Sequence, residues 1–112
     1  ADELGTSIWN IASQVARIRV ISESCSIAPD PMLEIRVAEA LAPTGNLDVA
    51  GLHDLFVNQY NFQKNAAPRE CEEGSQDHLS VLGRLYERGL EDLKKQRALL
   101  KDKLFAQLQE PA

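Results

Sequence analysis

Residues 75–109, SQDHLSVLGRLYERGLEDLKKQRALLKDKLFAQLQ, decide how this chain folds. Positions 79, 82, 86, 90, 93, 97, 100, 104 and 108 recur at the 3.6-residue period of an α-helix, and all but Arg97 are apolar. Ser75 offers a cap, and Asp77 lies in the first turn, where negative charge complements the helix dipole. Glu91 and Lys95 stand four residues apart, an exposed pair that adds a few tenths of a kcal/mol. The pattern predicts one helix over 76–109, about 50 Å long at about 1.5 Å per residue.

Upstream, Pro68 to Gly74 reads as an acidic loop. Before it, Leu52, Leu55, Phe56 and Tyr60 give the apolar face of a third helix over about 47–65, starting near Asn46 or Asp48 and stopped by Pro68. Asp30-Pro31 is a helix start signal, and Leu33, Val37 and Leu41 mark a short second helix over 31–42, ended by the turn cluster Ala42-Pro43-Thr44-Gly45. The first helix is expected over 7–24, capped by Thr6 or Ser7. Ile8, Ile11, Val15 and Ile18 form its stripe, which Trp9, Ala12 and Ala16 widen. The β-branched run Ile18-Arg19-Val20-Ile21 could be read as a strand, but the spacing upstream favours helix. The fold class expected is all-α: a single domain over 1–112, a small bundle of about four helices with a long C-terminal helix. Gly51, Gly83 and Gly89 interrupt helices at a cost of about 1 kcal/mol each relative to Ala. Close helix–helix approach is the ordinary reason.

Two cysteines, Cys25 and Cys71, lie outside any C-x-x-C pattern. One falls where the first helical pattern ends and the other just before the last begins, so both reach the same end of a bundle. A disulfide there closes a long loop and contributes about 4 kcal/mol on the chain-entropy model. Helix, Cys, two helices, Cys, long helix resembles the layout of small two-cysteine periplasmic proteins of Gram-negative bacteria. The likeness is of layout only and brings no function with it.

The chain has 112 residues, enough for one core; 44% are hydrophobic and 26% charged, as in an ordinary globular protein. Its net charge of −5 argues against nucleic acid as a partner. That charge is segregated. Residues 1–83 carry five basic residues against twelve acids, and residues 84–103 carry seven against four. No run of 18 apolar residues exists to cross a membrane. The start Ala1-Asp2-Glu3-Leu4 resembles what remains after signal-peptide cleavage, so a periplasmic or secreted location is expected.

No chemistry is written in the residues. His53 and His78 stand on different helices, with no H-E-x-x-H or Glu-x-x-His pattern to bind a metal. Thr44 to Asp48 resembles the middle of a calcium loop, but the register puts Ala40, Ala42 and Gly51 at ligand positions. No G-x-S-x-G, S-x-x-K or phosphate-binding glycine motif is present. The expectation is therefore a protein that is not an enzyme and carries no cofactor.

Length suggests where it acts. The fourth helix outruns the first and third, each about 27 Å long. If it is straight, its end overhangs the bundle, and Leu99, Leu100, Leu104, Phe105 and Leu108 present an apolar stripe beside Lys94, Lys95, Lys101 and Lys103. If it bends or packs back, the stripe is internal. The overhang predicts an interaction module (adaptor, assembly factor or holdase) that binds a protein partner or itself. The alternatives are a carrier holding a small apolar ligand near Trp9, Phe56, Tyr60 and Tyr86, or attachment to a membrane surface by the basic tail.

Overall fold

A computed structural model describes residues 3–42, 48–66 and 70–109, with 100–109 described as helical backbone alone. Among these residues the chain forms α1 (Glu3–Ser24), α2 (Leu33–Leu41), α3 (Val49–Ala66) and α4 (Ser75–Gln109). Of the turn cluster only Ala42 is described, as the C-cap of α2; residues 43–47 and Pro68 lie outside the described residues.

Side-chain bonds between helices fix their directions. The end of α1 meets the start of α2 through the Arg19–Glu34 ion pair at 2.9 Å. The end of α3 returns to the end of α1, where the Tyr60 hydroxyl donates to Glu23 at 2.6 Å. Late in α4, Gln96 Nε2 donates to Ser7 Oγ at 2.7 Å, near the start of α1. The result is an up-down-up-down bundle. α1 lies along both α3 and α4, while α2 packs mainly on α4.

The core joins Ile11, Ala12 and Val15 of α1, Leu33, Val37 and Leu41 of α2, Leu52 and Phe56 of α3, and Tyr86, Leu90 and Leu93 of α4. Each set falls at helical spacing, and burying each of the larger side chains contributes about 1.5–3 kcal/mol. Trp9 does not widen this face: it is 51% exposed, and Ala12 and Ala16 supply the small surface against which α1 packs. The run at residues 18–21 is helical.

α1 begins a turn earlier than expected, because Leu4 extends the Ile8–Ile11 stripe onto the core. Thr6 and Ser7 therefore lie inside the helix and do not cap it. α2 begins at Leu33, two residues late, but the start signal works as chemistry: Asp30 Oδ1 accepts the Met32 N–H at 2.9 Å across Pro31. α3 begins at Val49 under Asp48, whose Oδ1 accepts the Gly51 N–H at 2.9 Å. A Cβ at Gly51 would collide with that carboxylate, so this glycine serves the cap rather than helix–helix contact. Ser75 opens α4, but its hydroxyl accepts the Glu72 N–H at 3.0 Å and ties down the preceding loop instead of capping. Gly74 makes the turn into the helix, at φ +90.

The other two glycines differ, which gives a paired prediction. A Cβ at Gly83 meets nothing within 4 Å, whereas one at Gly89 would press on Ile11 Cδ1 at 3.3 Å. Gly83→Ala is expected to raise stability by about 1 kcal/mol. Gly89→Ala should gain less or lose, since the same helical benefit is set against crowding of α1. Thermal melts of the two variants decide it, and equal gains would contradict the close approach.

Tyr86 supplies the main polar link inside the core. Its hydroxyl donates to the Leu33 carbonyl at 2.6 Å, pinning the first turn of α2 to α4. Burial pushes its pKa up to about 12 from 10.0. A folded pKa raised above the unfolded one means the contribution is intact below pH 10 and disappears as pH rises through about 12. Urea titrations should therefore show a loss of stability across that window that is smaller in Tyr86→Phe. Equal alkaline losses in the two proteins would refute the assignment.

Candidate protein-interaction surface

The expected disulfide is present: Cys25 and Cys71 are bonded, with Cα atoms 4.7 Å apart at the end of the bundle where α1 and α3 finish and α4 begins. Cys71 is exposed. Such a bond belongs with an oxidising, non-cytoplasmic setting. No helix of the described residues is long and apolar enough to cross a membrane.

The long helix is one element of 35 residues, continuous to Gln109. Its neighbours stop short of its end. Ser7 faces Gln96, so Glu3, four residues earlier on the antiparallel α1, is level with Leu100. Ala40, near the end of α2, meets Arg97. Nine further residues of helix carry the backbone about 14 Å past that level. The molecule is accordingly long, 61 × 24 × 24 Å.

Arg97 breaks the apolar period for a structural reason. Its Nη1 donates to the Ala40 carbonyl at 3.2 Å, occupying one of the orphan carbonyls in the last turn of α2 and placing positive charge at its dipole's negative end. The period alone gives no sign of this bond. A basic side chain opposite a helix that lacks its own basic last-turn residue was the available signal.

Of the residues expected to form the contact surface, Lys94, Lys95 and Leu99 are described and exposed, Leu99 at 61%. Lys94 reaches Glu91 at 3.4 Å on its own helix, a solvent pair of little energetic weight. The side chains of Leu100, Lys101, Lys103, Leu104, Phe105 and Leu108 lie outside the described residues; their backbone is helical.

The aromatic residues suggested for a ligand site do not converge. Trp9 is exposed, Phe56 and Tyr86 are packed in the core, and Tyr60 is bonded to Glu23 at the surface. That bond, with burial and the Glu23 charge, raises the Tyr60 pKa, while Lys64, 5.6 Å from the ring centre, opposes the shift. The two clefts described lie elsewhere. One, of about 180 Å³, opens beside the disulfide end between Ile21, Ser24, the Glu70–Ser75 segment and His78. The other, about 400 Å³, is a charged groove between α2 and α4 containing Arg36, Glu39, Glu87 and Lys94. Among the described residues, no three His, Cys, Asp or Glu side chains are grouped to hold a metal ion, and His53 and Asp54 both face solvent.

The residues thus define a disulfide-stapled four-helix bundle with one overhanging helix. Comparison with protein-family models, with characterised proteins and with solved structures yields no match.

Proposed function

We propose that this protein is a non-catalytic interaction module of the periplasm or the secreted space, an adaptor, assembly factor or holdase, and that the overhanging end of α4 is its contact surface. The observation that carries the reading is the continuity of α4 past the level where α1 and α2 end. A free helix of ten residues is not self-supporting in water, and an amphipathic one gains its stability from a face that is covered. Leucines on such a face call for a partner. The charged clefts and dispersed aromatics lend no comparable support to the carrier reading.

Truncation after Arg97 tests the proposal, because it keeps the bonds to Ser7 and Ala40 and removes the overhang. The shortened chain is expected to melt as the full chain does within a few degrees. It should also lose the proteins that the full chain retains from an envelope or secreted fraction. Equal retention by both chains would remove the reading. Vesicles with and without anionic lipid, co-sedimented with both chains, separate a protein partner from a membrane surface.

A further inference from the structure

We propose that two copies of this chain pair side by side, antiparallel, along the outer face of α4, with Arg88 of each copy ion-paired with Asp92 of the other. The pairing goes beyond the overhang reading: it runs along the bundle and shares only Lys95 and Leu99 with that contact surface.

Val81, Leu85 and Leu99 are the exposed large apolar residues of α4 among the described residues, at 42%, 39% and 61%. With Arg88, Asp92 and Lys95 they occupy positions 81, 85, 88, 92, 95 and 99, an alternation of four and three residues. That spacing is the seam of a two-helix contact. It is displaced from the buried register of Leu82, Tyr86, Leu90 and Leu93, so the bundle leaves it uncovered. All six residues are exposed, and the seam extends about 27 Å at about 1.5 Å per residue.

The order of residues along the seam identifies the occupant. Reversed end for end about residue 90, the seam meets itself in matched pairs: Val81 with Leu99, Leu85 with Lys95, and Arg88 with Asp92, each occurring twice. Val81 and Leu99 close both ends with apolar contact, and the stem of Lys95 covers Leu85 while its amine reaches water. The charges beside the seam follow the same order. Arg84 flanks Arg88 and Glu91 flanks Asp92, so a basic block precedes an acidic one, and reversal sets each block against the other. Glu87 and Lys94 line the groove toward α2. The neighbouring α1 adds exposed Glu3 and Arg17, one of each sign, which leaves the balance unchanged. Within one copy Arg88 and Asp92 stand in the less favourable i,i+4 order, and neither forms an ion pair among the described residues. A parallel pairing in register would set Arg88 on Arg88 and Asp92 on Asp92, so electrostatics selects the antiparallel one. That contact is isologous and closes as a dimer.

Sedimentation velocity on the oxidised full chain tests the pairing through charge reversal. Wild type is expected to sediment as a monomer–dimer equilibrium. Arg88→Asp and Asp92→Arg, each alone, set like charges together at both central contacts and should weaken self-association by about 100-fold or more. An equimolar mixture of the two variants should recover the wild-type dimer population, because one then carries two acids and the other two bases at the facing positions. The double exchange, Arg88→Asp with Asp92→Arg in one chain, should recover it as well. Either single variant associating as wild type does, or a mixture of folded variants that stays monomeric, would overturn the proposal. So would a wild type that is monomeric up to about 1 mM, a result that stands even if a variant fails to fold. A monomeric wild type that still loses its envelope partners on truncation after Arg97 sinks the pairing and leaves the interaction-module reading in place. Rescue by the mixture, with envelope partners unaffected by that truncation, upholds the pairing and removes that reading.

Discussion

Replacing both cysteines by serine, or reducing the bridge, is expected to lower stability by about 4 kcal/mol, equivalent to a fall in Tm of roughly 15 °C for a domain of this size. The argument is one of loop closure. The Cys25–Cys71 bond joins residues 46 apart, and α2 and α3 both lie inside the loop it closes. The loss should not be uniform. α2 is fastened to α4 by the Tyr86–Leu33 and Arg97–Ala40 bonds as well as by Leu33, Val37, Ala40 and Leu41. α3 buries only Leu52 and Phe56, and its far end is held to α1 by the Tyr60–Glu23 bond and, through the following segment, by the disulfide. Hydrogen exchange on reduced protein is therefore expected to show amides of 49–66 losing protection before those of 82–93. Simultaneous loss throughout would mean that α3 is as firmly docked as the rest.

Leu93→Ala is expected to cost about 3–4 kcal/mol by urea denaturation, at the upper part of the range for buried leucines. Leu93 has 0% exposure and belongs to the cluster shared by all four helices, so removing three carbons there leaves a cavity with little freedom to collapse. Leu99, six residues along the same helix, gives the contrast. It is exposed, so Leu99→Ala should change stability by less than about 0.5 kcal/mol and act instead on association. If the two substitutions cost the same, the boundary between core and overhang does not fall between these residues.

Much of this architecture was legible because apolar spacing is a direct record of burial. Leu82, Tyr86, Leu90 and Leu93 are buried in the predicted register, and the cysteines fall at element ends that the turns bring together. Helix starts were less legible. Capping depends on which polar atom reaches which N–H: Thr6 looks like a cap in sequence but lies past the start of α1, and Ser75 opens α4 but turns its hydroxyl to the Glu72 N–H of the preceding loop. Asp48 does cap α3, its carboxylate accepting the Gly51 N–H, whereas Asp30 binds the N–H of Met32 just ahead of α2 and forms the turn into that helix without capping it. Trp9 was misplaced for a related reason. An apolar residue beside a stripe reads as part of it, while the structure packs that side of α1 through Ala12 and Ala16. The proposed contact surface was legible only as a length mismatch, since a stripe that continues past its neighbours has the same period as one that does not. The acidic loop was legible in sequence, but that Phe62 and Ile27 stand exposed at the same end was not, because only the fold brings those segments to one end.

Small-angle X-ray scattering on dilute protein in about 0.5 M salt, where charge-driven association is screened, addresses the unbroken helix most directly. A compact globule of this length has a radius of gyration of about 13 Å. The continuous α4 gives 16.5 Å over Cα atoms and a long axis of 61 Å. The account predicts the larger radius together with a maximum dimension of at least that axis. A radius near the globular value, with no distances beyond the length of α1, would mean that the end of α4 folds back on the bundle and that no overhang is there to bind anything.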